Sequence, residues 1–165
     1  MNTISGMING EDLRIALVCA RFNEVVTKAL AEGARGALLR HGVVDDAIDE
    51  IWVPGALELG IAAKAAAISG NYHGLVLIGA VVRGDTAHFD VVVSESASQC
   101  SRISFDFDLP VANAILTTDT MDQAIDRAGG KSGNKGAEAA ITVLEMVDVL
   151  AKIRKGSDGA MGFRS

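Results

Sequence analysis

Histidine is scarce in this chain, three in 165 residues, and one of them stands where proton chemistry is easily arranged. His88 follows Arg83-Gly84-Asp85-Thr86, a polar cluster that abruptly ends the apolar run LVLIGAVV. An imidazole near its ordinary pKa moves protons at neutral pH. Gly84 permits a close backbone approach, and Thr86 is a residue type that caps helices. Asp85-Thr86 would then lie at a helix N-terminus, with free amides suited to a phosphate or another anion. Arg83 either strengthens that field or is simply solvated. His88 itself stays open between an acid–base group and an ordinary helical histidine. His41 and His73, in the contexts RHGV and NYHG, are read as ordinary, and the Arg-Gly-Asp spelling as coincidence.

Three further stretches invite chemistry. Ala20-Arg21-Phe22-Asn23 places an aromatic side chain in a loop, where it either stacks on a flat heterocycle or closes the top of the core. In VPGALELG, residues 53–60, Pro54-Gly55 forms a tight turn and a helix starts at once. Glu58 in its first turn either favours the helix dipole or accepts hydrogen bonds from a ligand. RAGGKSGNKGAEAA, residues 127–140, sets Arg127, Lys131 and Lys135 in a glycine-rich turn, which suits a phosphate and equally suits a helix junction. It lacks the GxxxxGK[ST] order of a Walker loop, and no GxGxxG follows the first strand. Cys19 and Cys100 are far apart without metal-ligand spacing; both read as small buried hydrophobes, and no zinc site is expected.

These groups must be positioned by an alternating pattern. Residues 13–20, 48–54, 74–82 and 109–118 read as strands, the first, third and fourth apolar on both faces as in a covered parallel sheet. Helical spacing runs through 24–40, 61–70, 86–103, 121–128 and 134–155. Alternation of this kind predicts a three-layer α/β/α sandwich with a four-stranded parallel sheet. Its ligands collect beyond the carboxyl ends of the strands, where the polar stretches fall. On the last helix the polar residues Glu138, Thr142, Glu145, Asp148 and Lys152 make one narrow stripe. A second subunit covering part of that helix is the simplest account. One domain is expected, with a core over 12–155, an N-terminal arm over 1–11 and a mobile tail over 156–165.

Composition narrows the partners. Although 49% of residues are apolar, no uninterrupted run approaches the roughly 18–20 needed to span a membrane. The beginning, MNTISGMINGEDL, has no basic-then-apolar pattern, so no signal peptide is expected and cytoplasm is the default. A net charge of −6 argues against a nucleic-acid or anionic-membrane surface.

Taken together, ARFNEVV at 20–26, VPGALEL at 53–59, GAVVRGDTAHFDVV at 79–92 and the segments of 110–140 ending in GNKGAEAA resemble the lumazine synthase family. The resemblance covers roughly residues 12–150 and implies a flavodoxin-like fold. It also implies an activity, in which 5-amino-6-ribitylamino-pyrimidinedione condenses with 3,4-dihydroxy-2-butanone 4-phosphate, releasing phosphate and water without metal or organic cofactor. By position, Phe22 would stack on the pyrimidinedione and Asn23 would lie near the ribityl chain. Ala56, Leu57 and Glu58 would hold ribityl hydroxyls, while Ala80, Val81 and Val82 meet the ring edge. The Asp85 and Thr86 amides with Arg127 would bind phosphate, and His88 would move protons. Lys135 and Glu138 would sit beside them. The family site lies between subunits of a pentamer, in some members part of a hollow shell, with the surroundings of Asn113, Arg127 and Lys135 supplied by the neighbour. Leu57, Gly60, Asp85 and Asn113 depart from the commonest pattern. Asp85 fits beside a phosphate only if its amide binds and its side chain points away. A non-catalytic lumazine- or flavin-binding carrier is the competing expectation, and a phosphate-binding regulator a third.

Overall fold

Chain segments that are apolar on both faces belong in the middle of a covered sheet. Ile15–Ala20 (β1) is buried at every residue, and Gly74–Val82 (β3) at all but the last. The two pair in parallel, flanked by Ile48–Val53 (β2) and Val111–Thr118 (β4), which gives a four-stranded parallel sheet in the order β2-β1-β3-β4. The structure, a computed structural model, describes the backbone of residues 1–160 and the side chains of 1–156.

Helices Glu24–Arg40 (α1), Leu59–Ser69 (α2), His88–Phe107 (α3), Met121–Asp126 (α4) and Lys135–Ala160 (α5) complete the layers. Strand residues alternate between two cores. Ile15, Leu17 and Cys19 face α1 and α5, joined by Val76 and Ile78. Ala16, Val18 and Ala20 face α2 and α3, joined by Leu75 and Leu77. A flavodoxin-like three-layer sandwich results.

Four local features differ from the sequence expectation. β4 is an edge strand that alternates, with Asn113 and Thr117 exposed. Between α4 and α5 the glycine-rich stretch forms a small antiparallel hairpin, Ala128–Gly130 (β5) with Gly133–Asn134 (β6). The polar stripe of α5 partly serves the chain's own N-terminal arm. The Asp148 carboxylate accepts from the Met7 N–H at 2.7 Å, and Lys152 Nζ donates to the Ser5 carbonyl at 2.9 Å. Finally, α5 reaches Ala160, five residues into the segment expected as a tail, whose residues 161–165 lie outside the described residues. Among the described residues, no helix is long and apolar enough to cross a membrane.

Candidate functional site

At the carboxyl ends of β1, β2 and β3 the connecting loops are bound to one another through backbone groups. Arg21 N–H donates to the Val53 carbonyl at 2.8 Å and Phe22 N–H to the Pro54 carbonyl at 3.1 Å. Asn23 then takes a left-handed conformation, φ 60° and ψ 49°, just before α1. Its side-chain Nδ2 donates to the Ala80 carbonyl at 2.8 Å, fastening the first loop to the end of β3. Phe22 does not close the core. Its ring is 72% exposed and forms one wall of a cavity of about 340 Å³.

The opposite wall follows from the Pro54-Gly55 turn. A single 3₁₀ turn, Ala56–Glu58, precedes α2, and its start is closed by Glu58 N–H donating to the Gly55 carbonyl at 3.2 Å. Ala56, Leu57 and Glu58 all line the cavity. Glu58 has no ion-pair partner among the described residues, so its carboxylate is available to hydroxyl or ring donors. Directly beyond, Gly60 N–H donates to Gln99 Oε1 at 3.0 Å. A proline at this position would have no N–H to give.

Ala80, Val81 and Val82 form the floor, and Gly84, Thr86 and His88 the third side. Thr86 is not the helix cap. α3 begins at His88 with Ala87 as its N-cap, and the Thr86 hydroxyl accepts the His88 N–H at 3.4 Å. The helix therefore starts one residue later than the capping pattern suggests. His88 is exposed and lines the cavity. Asp85 is exposed and is not among the residues that line the cavity.

Two lining residues escaped the sequence reading. Phe89 and Val92 stand one and four positions after His88. Helical spacing from His88 was the signal for Val92; Phe89, one position on, carried none.

Asn113, Arg127 and Lys135 gather elsewhere, around a second cavity of about 330 Å³ along the outer row of β4. Lys135 Nζ pairs with Glu138 at 2.7 Å. Arg127 Nη1 donates only to the Gln123 carbonyl, at 3.0 Å, and has no carboxylate partner among the described residues. Lys131 is exposed in the β5–β6 hairpin and lines neither cavity. Lys135 is held by a joint between α1 and α5. Asn134 donates to the Ala29 carbonyl at 3.0 Å and accepts the Ala137 N–H at 3.1 Å, capping α5. Gly136 lies so close to α1 that a Cβ there would be 2.0 Å from the Leu30 carbonyl oxygen.

The thiols take no part. Burial pushes Cys19 up to about 12 and Cys100 to about 11, as small buried hydrophobes require. Among the described residues no group of three His, Cys, Asp or Glu side chains could hold a metal ion.

An open parallel α/β sandwich with a small-molecule-sized cavity over its strand ends defines a flavodoxin-like protein. Sequence relatives narrow that class. Residues 12–151 match the profile described as 6,7-dimethyl-8-ribityllumazine synthase. A protein named 6,7-dimethyl-8-ribityllumazine synthase from Edwardsiella ictaluri is 48% identical over 155 residues, 93% of this chain and 99% of the relative. Its namesake from Gemmatimonas aurantiaca is 50% identical over 158 residues, 96% of both chains. The chain belongs to the 6,7-dimethyl-8-ribityllumazine synthase family.

Proposed function

We infer that this protein condenses 5-amino-6-ribitylamino-pyrimidinedione with 3,4-dihydroxy-2-butanone 4-phosphate, giving 6,7-dimethyl-8-ribityllumazine, phosphate and water in riboflavin biosynthesis. Membership of the family over nearly the whole chain is the observation that carries this reading. The cavity supports it, because an aromatic face, a free carboxylate and an exposed imidazole converge on one space.

The substrate brings its own amine nucleophile, so no enzyme nucleophile has to attack. Positioning, anion binding and proton transfer remain. Phe22 offers its face to the pyrimidinedione, and backbone groups of Ala80, Val81 and Val82 meet the ring edge. Asn23 orders the loop beside the ribityl chain. Ala56, Leu57 and Glu58 receive ribityl hydroxyls. The amides of Asp85 and Thr86 face the phosphate. His88 hands protons between the amine and the departing oxygens as the Schiff base forms, phosphate leaves and the ring closes.

Arg127, Lys135, Glu138 and Asn113 enter this scheme from a neighbouring subunit. Two facts support a homo-oligomer with sites at its interfaces. Arg127, without a carboxylate partner among the described residues, lines a cavity other than the one lined by His88. Ile61, Ile68 and Phe105 on α2 and α3 are 69%, 63% and 86% exposed, an apolar surface that a neighbour would cover. A pentamer, alone or in a shell, and a cytoplasmic location complete the reading.

Purified protein mixed with both substrates should develop lumazine absorbance well above the uncatalysed background. Background-level formation refutes the enzyme and leaves the non-catalytic ligand carrier.

A further inference from the structure

Arg83 has no task in the scheme above, yet it is the most constrained side chain of the β3–α3 connection. Its backbone N–H donates to the Thr118 carbonyl at 2.8 Å, extending the β3–β4 ladder by one bond. Its Nε donates to Asp119 Oδ1 at 2.8 Å, and its guanidinium carbon stands 4.4 Å from the centroid of the Phe89 ring. Asp119 is itself held. Gln123 Oε1 accepts the Asp119 N–H at 2.9 Å, while Thr120 and Gln123 close a capping box on α4. The guanidinium thus joins a rigid anchor at the end of β4 to an aromatic ring in the first turn of α3.

Phe89 follows His88 directly, and the segment between anchor and ring is residues 84–88. Gly84 in that segment has nothing within 4 Å of where a Cβ would stand. Its α3 end lacks a side-chain cap at Ala87. Only the long 3.4 Å bond to the Thr86 hydroxyl and the Asp90 carboxylate in the first turn support this helix start, and the Arg83 clamp adds to them.

We propose that Arg83 is a positioning residue: held between the Asp119 carboxylate and the face of Phe89, it fixes the start of α3, and with it His88 and the amides of residues 84–86. Its catalytic consequence rests on the function inferred above, but its structural consequence does not. The Nε and the ring-facing surface are already engaged, so direct phosphate binding is the rival role.

Hydrogen exchange and kinetics on the intact protein separate these. In Arg83→Met, amides of residues 90–95 should exchange roughly three- to tenfold faster, the range expected for an exposed ion pair plus a cation–π contact. Asp119→Asn should give a comparable acceleration and Arg83→Lys a smaller one. Peptides from residues 75–82 should not change in any of them. Arg35→Met, which removes the exposed Arg35–Asp45 pair on α1, should leave the α3 start as in wild type. The double variant Arg83→Met/Asp119→Asn should be no worse than either single one. In turnover, kcat and KM for the butanone phosphate should shift together and to the same degree in Arg83→Met and Asp119→Asn. Unchanged exchange at 90–95 in both Arg83→Met and Asp119→Asn overturns the clamp. A raised KM for the butanone phosphate in Arg83→Met alone assigns Arg83 to the phosphate instead. If wild-type protein makes no lumazine, the functional reading fails and the exchange data still decide the clamp.

Discussion

Asn23 holds a left-handed backbone at φ 60° and spends its side chain on the Ala80 carbonyl 2.8 Å away. Asparagine visits this region more readily than other non-glycine residues because its short polar side chain bonds locally. Three substitutions separate the two contributions. Asn23→Ala loses the hydrogen bond, about 1 kcal/mol, and the polar side chain that makes the left-handed region tolerable to a residue with a Cβ, roughly 1–2 kcal/mol. Asn23→Gly keeps the conformation without strain but loses the bond and frees the unfolded chain, together about 1–2 kcal/mol. Asn23→Asp tolerates the backbone but turns a carboxylate toward a carbonyl, which leaves both without a donor and costs about 1–3 kcal/mol. For a chain of this length Asn23→Ala should lower Tm by roughly 5–10 °C, with Asn23→Gly in between. Melting is followed at one fixed protein concentration. Phe22 is the preceding residue, so all three should also raise KM for the pyrimidinedione. If Asn23→Ala melts with wild type while its KM rises, Asn23 is a ligand contact only and this account of the loop is wrong.

His88→Ala should slow turnover by about 10²-fold or more with the sedimentation profile unchanged, whereas Arg127→Ala should chiefly raise KM for the butanone phosphate; equal kinetics for wild type and both variants refute the site. A Cβ at Gly60 would stand 2.3 Å from Gln99 Oε1. Gly60→Ala should therefore cost about 1 kcal/mol in the wild-type background and almost nothing beside Gln99→Ala, as read by urea midpoints. Both thiols titrate far above neutrality, so iodoacetamide at pH 8 should label neither cysteine in the native protein and both in denaturant. The Lys152 ammonium, then the Met7 N–H, hold the Asp148 carboxyl below its ordinary value. Its grip on the N-terminal arm is complete at neutral pH and is lost as pH falls from about 4 through the lowered value. Exchange protection of residues 5–8 should fall over that range, and Asp148→Ala should remove it at neutral pH.

The strands and layers were legible because burial on two faces leaves a continuous apolar run, whereas the order β2-β1-β3-β4 came from the structure. α1 was legible to its boundaries, because Glu24–Arg40 shows a clean period between an αL asparagine and a glycine-led turn. The convergence of Phe22, Ala56–Glu58 and His88 was legible once the strand ends were taken as one surface. Other features depend on contacts distant in sequence. Thr86 has a capping side chain, but the ladder bond of Arg83 to Thr118 and the clamp on Phe89 decide where α3 starts. Asn23 carries no mark in sequence of its bond to Ala80, 57 positions away. The α5 stripe had the right period for an exposed face, yet the N-terminal arm that uses it has no periodicity to announce itself.

Asn134 and Gly136 bracket Lys135, and their constraint is mechanical: one ties α5 to α1, the other admits no side chain between them. The spelling Asn-Lys-Gly is thus a mixed record, two letters kept by packing and one free to answer to chemistry. A descendant that had abandoned the reaction but still folded would keep the outer letters and drift at the middle one. Under the proposed roles of Lys135 and His88, drift at those two positions would mark the loss of activity, while the flanking pair would outlive it.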